Sequence, residues 1–203
     1  MTAEDVEAFE RCIAVGGVAL FPADTVYGLA TDPESRDAVE RLYRLKGRQP
    51  DRPAAVMFFQ KQLALEALSE LPSDTRDAME RLLPGGVTLL LPNNAHRYPL
   101  ACGPNPDVLG LRVPALQGPL TAMRRPVLQS SANRSGGPDA RRLHDVDAAV
   151  RSGVDLILEG GELPGTPSTV VDLTTYHEDG RFEIRRAGAV SAQDIRNALV
   201  RSP

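Results

Sequence analysis

Apolar runs of five or six residues recur along this chain, at 18–22, 26–31, 54–59, 87–91 and 108–113, and stretches of helical periodicity lie between them. A run of that length suits a strand buried on at least one face, and it falls well short of a membrane span. The alternation restricts the chain to a sheet with helices packed against it. The expected fold is a single α/β domain over residues 1–203: a twisted, mixed parallel and antiparallel sheet with flanking helices and an open basic cleft.

Local signals place the helices. Thr2 caps a segment whose apolar positions Val6, Phe9 and Ile13 recur at helical spacing, and Gly16-Gly17 ends it. Ser35 opens a second helix with Ala38, Val39, Leu42 and Leu45 on one face, which delivers Lys46 at its C-terminal end. Further helical stretches are expected at 63–68, 74–83 and 146–151, and a last one after Ser191 with Asp194 in capping-box position. Residues 127–129, 156–158, 169–173 and 182–186 complete the strands; Glu178-Asp179-Gly180 signals a hairpin, and 92–107 reads as irregular.

Net charge is −4, yet windows 36–52, 124–142 and 181–186 together carry +9, leaving −13 elsewhere. Such segregation is expected if basic segments converge on an anionic ligand, and surface scatter is the plain alternative. The absence of tryptophan, 4% aromatics and the acidic balance argue against a dedicated nucleic-acid binder. Cys12 and Cys102 form no disulfide or zinc pattern, and no apolar stretch suits a signal peptide or membrane anchor. A cytoplasmic protein is expected.

Several chemistries are excluded by spacing. No glycine pair stands at i and i+2, which removes the dinucleotide fingerprint, and neither Lys46 nor Lys61 sits in a Gly-Lys-Ser/Thr loop. Ser131-Ala132-Asn133 has the S-x-N form of serine β-lactamases, but Tyr43 and Phe58 stand where S-x-x-K needs serine. His96, His144 and His177 are isolated from one another and receive no role; no metal-ligand set is expected.

Two segments remain rich in chemistry. Lys46-Gly47-Arg48 offers fixed cations, and 130–137 offers hydroxyls, an amide and two glycines, together the ingredients of a polyphosphate site. Taken singly, the first is equally a helix end and the second a capped turn. Arg112, inside an otherwise apolar strand, needs an anionic partner, either a ligand carboxylate or a structural ion pair.

In combination these segments resemble the YrdC family of threonylcarbamoyl-adenylate synthases. The likeness runs through Phe21-Pro22-Ala23-Asp24-Thr25-Val26-Tyr27-Gly28-Leu29, Lys46-Gly47-Arg48, 84–91, Arg112-Val113-Pro114, 130–136, 168–172 and Arg186-Ala187-Gly188, and so covers nearly the whole chain. The split K-x-R and S-x-N signature corresponds to Lys46 with Arg48 and Ser131 with Asn133.

The resemblance implies a nucleotidyltransferase that condenses L-threonine, bicarbonate or CO2, and ATP into threonylcarbamoyl-AMP and pyrophosphate, feeding N6-threonylcarbamoyladenosine modification of tRNA through downstream threonylcarbamoyl-transferase proteins. It implies catalytic roles for Lys46 and Arg48, which with Arg52, Ser131, Asn133 and Arg186 bind ATP. It assigns the threonine pocket to Thr25, Arg112 and Ser168. Mg2+ is expected to arrive with ATP, held largely by the phosphates. The extra C-terminal domain of longer members is expected to be missing. Arg52 stands where the family pattern has asparagine, and Met57 where it has a histidine near threonine. Two other readings compete: an RNA-binding module that uses the same basic cleft, with weak RNA binding, and the carbamoyl transfer of hydrogenase-maturation enzymes, which are longer chains.

Overall fold

The computed structural model describes residues 1–199. Helix α1 (Ala3–Ala14) is closed at its start by the expected capping box, Thr2 with Asp5, and buries Val6, Phe9 and Ile13. Strands β1 (Ala19–Pro22) and β2 (Tyr27–Thr31) follow. Helix α2 (Arg36–Lys46) buries Ala38, Val39 and Leu42 as the spacing predicts, although Ser35 makes no side-chain cap. Next come β3 (Ala55–Met57), α3 (Lys61–Ala67), α4 (Ser73–Leu82), β4 (Val87–Pro92), α5 (Pro99–Cys102) and β5 (Val108–Arg112). The rest is β6 (Val127–Ser131), α6 (Ala148–Gly153), β7 (Leu156–Ile157), β8 (Thr169–Asp172), α7 (Tyr176–Asp179), β9 (Glu183–Arg186) and α8 (Ala192–Leu199).

One expectation changes: the stretch 92–107 contains the short helix α5, whose Ala101 and Cys102 are buried. The expected hairpin forms, with β8 and β9 antiparallel, and its link is a helical turn: Tyr176 is buried and donates its hydroxyl to the Leu199 carbonyl, so 176–179 coil inward before Gly180 ends them in the left-handed region.

The strands form one mixed, open sheet in the order β7-β1-β2-β6-β3-β5-β4-β8-β9. Pairs β1–β7, β3–β5 and β4–β8 run parallel and the other five antiparallel. Side-chain alternation then sorts residues to two faces. Leu20, Leu29, Val56, Leu128, Leu111, Leu89 and Val171 point to one face, where they form the main core with Leu42 of α2, Met79 of α4 and Ile195 of α8.

The opposite face is covered over only part of its width. Phe21, Ala30, Met57 and Val127 pack there against Phe9 and Ile13 of α1, with Phe59, Leu120 and Met123. Phe9 meets Phe21 at 5.2 Å and Phe59 at 5.9 Å between ring centroids. Beyond this aromatic plug the same face, from β6 to β8, carries Gln129, Ala55, Gly110, Arg112, Thr88, Leu90 and Val170, and these line an open cleft. The plug and the cleft divide one sheet face between them.

Candidate active site

The cleft encloses about 640 Å³. Arg48, Ser130, Ser131 and Asp139 line one part of it, and Arg112, Ser168 and Arg186 another. Two of the three basic windows contribute lining cations, Arg48 from the first and Arg185 and Arg186 from the third. Many other arginines of these windows form surface ion pairs instead, among them Arg41 with Asp155, Arg125 with Asp32, and Arg141 and Arg142 with Glu162. Charge segregation along the sequence therefore exceeds charge convergence in space.

Lys46-Gly47-Arg48 is both a helix end and a branching point. Gly47 takes φ 60°, and the amides of Gly47 and Arg48 return to the carbonyls of Arg44 and Tyr43. The reversal sends the two cations apart. Lys46 is 2% exposed and runs beneath the serine loop. Its ammonium donates to the Ser131 carbonyl, to the Asn133 carbonyl at 2.7 Å and to Asn133 Oδ1 at 3.0 Å. Burial, aided by the nearby Arg48 charge and opposed by Asp139, pushes the Lys46 pKa down to about 8.

Arg48 instead faces the cleft. It lies over the Tyr43 ring at 5.6 Å, donates to Ser130 Oγ at 3.3 Å and to the Pro53 carbonyl, and keeps a buried Nε without a partner. Asn133 closes the loop from within: Oδ1 accepts from Ser131 Oγ at 2.6 Å, and Nδ2 donates to the Gly137 carbonyl at 2.6 Å. The Ser135 amide adds a bond to the Lys46 carbonyl at 2.8 Å. Thus Arg48 and Ser131 line the cavity, while Lys46 and Asn133 are joined just beneath its lining. Arg52 does not line it; its backbone carbonyl accepts the Tyr43 hydroxyl at 2.9 Å.

At the other part of the cleft Arg112 is 4% exposed and ion-paired with Asp24, whose Oδ1 accepts Nη2 at 2.7 Å. Nη1 donates to Gln129 Oε1 at 3.3 Å, Nη2 reaches Thr25 Oγ1 at 3.4 Å, and Nε is buried with no partner. Both alternatives raised for this arginine therefore have structural support: a structural ion pair is present, and an orphan donor remains. Ser168 Oγ lies 2.8 Å from Thr88 Oγ1, and Arg186 donates to the Ser168 carbonyl at 2.8 Å and to its Oγ at 3.3 Å. Thr25 is buried behind Arg112, and Met57 is fully buried in the aromatic plug.

Asp24, Gln129 and Asp139 were not singled out as site residues by sequence reasoning. Gln129 had a readable signal, a polar amide on the same strand face as buried Val127. Of the two aspartates lining the cleft, Asp172 is held by Arg185 and Thr174, whereas Asp139 makes no hydrogen bond or ion pair among the described residues. Among those residues no three His, Cys, Asp or Glu side chains come together to hold a metal.

A cleft with a cationic, hydroxyl-rich part and a buried guanidinium elsewhere suits a ligand carrying both phosphates and a carboxylate. A family model described as telomere recombination, Sua5_yciO_yrdC, matches residues 11–188. A threonylcarbamoyl-AMP synthase of Hahella chejuensis is 33% identical over 180 residues, covering 86% of this chain and 97% of the relative. The Pyrococcus abyssi enzyme of the same name is 32% identical over 168 residues, 81% of this chain; the match spans about half, 49%, of that longer protein. The structure of P. abyssi Sua5 complexed with L-threonine superposes with a TM-score of 0.82 at 27% identity, covering 98% of this chain and 58% of the other.

Proposed function

Because the chain belongs to the Sua5/YciO/YrdC family, we propose that it is a threonylcarbamoyl-AMP synthase, a nucleotidyltransferase that joins L-threonine, bicarbonate or CO2, and ATP for tRNA modification. The observation that carries this reading is the pairing of Arg48 with Arg112 in one cleft, each a partly or wholly buried guanidinium whose Nε lacks a partner. Unsatisfied buried donors of this kind are costly unless a ligand completes them.

In the reaction the threonine amine takes up CO2 to give a carbamate, and a carbamate oxygen bonds to the α-phosphorus as the bond to pyrophosphate breaks. Charge gathers on the phosphates, so fixed cations lower the barrier. Arg48 supplies such a cation at the lining, with Ser131 beside it and Arg186 completing the ATP site. Lys46 adds positive potential from below and, with Asn133, holds the loop in shape. Arg112 takes the threonine carboxylate, with Thr25 and Ser168 around it. Asp139, a lining carboxylate, would be the group to hold Mg2+ brought by ATP. That metal would neutralise phosphate charge.

No helix among the described residues is long and apolar enough to cross a membrane, and we place the reaction in the cytoplasm, with a threonylcarbamoyl-transferase as the consumer of the product. RNA binding is the weaker alternative, since few cations line the cleft and most other arginines named above are in ion pairs. The test is pyrophosphate release with each substrate omitted in turn. Release that requires threonine, bicarbonate and ATP together is expected; release indifferent to threonine would reject the proposal.

A further inference from the structure

Tyr43 packs in the main core at the last turn of α2, 4% exposed, yet three of its groups hold the segment that carries Arg48. Its backbone carbonyl accepts the Arg48 amide at 2.9 Å, the bond that closes the helix and folds the chain back. The fold-back sets the Arg48 guanidinium over the ring of the same tyrosine, its central carbon 5.6 Å from the ring centroid. The hydroxyl donates to the Arg52 carbonyl at 2.9 Å.

That last bond matters because one edge of Arg48 rests on the same loop. Nη2 donates to the Pro53 carbonyl, one residue past Arg52, and Nη1 donates to Ser130 Oγ at 3.3 Å. Residues 49–53 are held at several points. The Arg52 amide closes a turn on the Gln49 carbonyl at 3.2 Å, and the Tyr43 hydroxyl ties the Arg52 carbonyl to α2. The chain then passes so close to Gly103 that an added Cβ would lie 2.6 Å from the Asp51 carbonyl, and the Ala54 amide ends the segment on the Ala101 carbonyl at 2.9 Å. The ring face, both terminal nitrogens and the backbone amide of Arg48 thus have fixed partners within the protein, and only Nε is left buried without one. A guanidinium ordered in advance binds an anion without the loss of freedom that a mobile arginine would suffer.

We propose that Tyr43 is a positioning residue for Arg48: its ring sets the plane of the guanidinium, and its hydroxyl holds the loop whose Pro53 carbonyl fixes one edge. The identity of the anion, the triphosphate of ATP, rests on the synthase reading. Two variants divide the tasks. Tyr43→Phe keeps the ring and frees the Arg52 carbonyl; Tyr43→Leu keeps apolar bulk in the core and removes the ring face as well. Combining each with Arg48→Ala shows whether the tyrosine acts through the arginine or through packing alone.

The experiment is calorimetric titration of the full chain with ATP and Mg2+ and, separately, with L-threonine, for wild type, both Tyr43 variants, Arg48→Ala and the two double variants, with thermal unfolding to verify folding. ATP affinity is expected to fall about tenfold in Tyr43→Leu and about threefold in Tyr43→Phe, while threonine affinity stays within about twofold. With Arg48→Ala already in place, neither substitution should lower ATP affinity further. Wild-type ATP affinity in Tyr43→Leu, or a loss equally large with and without Arg48, would overturn the proposal. An equal loss of threonine affinity would do so too, because it marks a general distortion. If Tyr43→Leu does not fold, Tyr43→Phe decides: a loss that vanishes in its double variant is expected, and one that is absent or persists overturns the assignment. A wild-type protein that binds ATP but no threonine would sink the synthase reading while the Tyr43 comparison stays readable, which separates the two failures.

Discussion

The Lys46 ammonium donates to the backbone carbonyl of Asn133 at 2.7 Å and to its side-chain oxygen at 3.0 Å, across 87 residues of sequence. The two halves of the K-x-R and S-x-N signature are therefore bonded directly. One lysine fixes the shape of the loop whose Ser130 and Ser131 line the cleft, and the arginine two residues later lines the same cleft.

Lys46→Met would leave the Ser131 and Asn133 carbonyls buried without a donor. A loss of about 1–3 kcal/mol is expected for each such orphaned buried group, so the midpoint of unfolding should drop by several degrees together with turnover. Calorimetry beside a pyrophosphate assay checks it; an unchanged midpoint contradicts the scaffold role.

Arg48→Ala should act first on turnover, because its side chain lines the cleft, while its bonds to Ser130 and the Pro53 carbonyl and its contact with Tyr43 give it a smaller part in stability. Turnover is expected to fall about 100- to 1000-fold, the usual effect of removing a preorganised donor from a transition state, with the unfolding midpoint falling less than in Lys46→Met. Steady-state rates against thermal melts separate this outcome from that of Lys46→Met.

The strands and the helical faces were legible because period-2 and period-3.6 patterns report burial directly: Leu20 and Phe21 part to opposite faces, and Val6, Phe9 and Ile13 share one. The pairing partners were not legible. Lys46 reads as an ordinary last-turn cation, and its burial depends on a loop 85 to 87 residues away. Asp24 reads as part of a turn, and only the fold brings it to Arg112, 88 residues further on. Met57 stands on the cleft face in register with Arg112, yet its side chain joins the plug. Sequence alone cannot say where plug ends and cleft begins.

The Asp24 and Arg112 pair has side chains only 6% and 4% exposed. Asp24→Ala would bury an unpaired guanidinium, for which a cost of about 3–5 kcal/mol is typical, so the midpoint should fall by about 10 °C. Asp24→Asn keeps an acceptor and should lose less. Equal stability of wild type and Asp24→Ala would show that Arg112 needs no counter-charge.

Lys46 also sets a pH dependence. Its pKa in the fold, about 8, lies below its ordinary value of 10.5, so the unfolded chain binds more protons between these limits. The cost of burying the charge is present below pH 8 and is relieved as pH rises through that window, while the cation beneath the cleft is lost. Activity should therefore decline above about pH 8 as stability gains. Asp139 favours the charged form, so Asp139→Asn should move the alkaline limb of the rate profile to lower pH; a limb that stays in place or moves up contradicts the assignment.

The central claim is tested most directly by identifying the product. The protein, ATP, Mg2+, L-threonine and isotopically labelled bicarbonate are incubated together, and the adenylate is resolved by mass spectrometry. The account predicts threonylcarbamoyl-AMP that carries the bicarbonate label, formed by wild type and nearly absent with Arg48→Ala. Adenylate without threonine or label, or no adenylate at all, would contradict it.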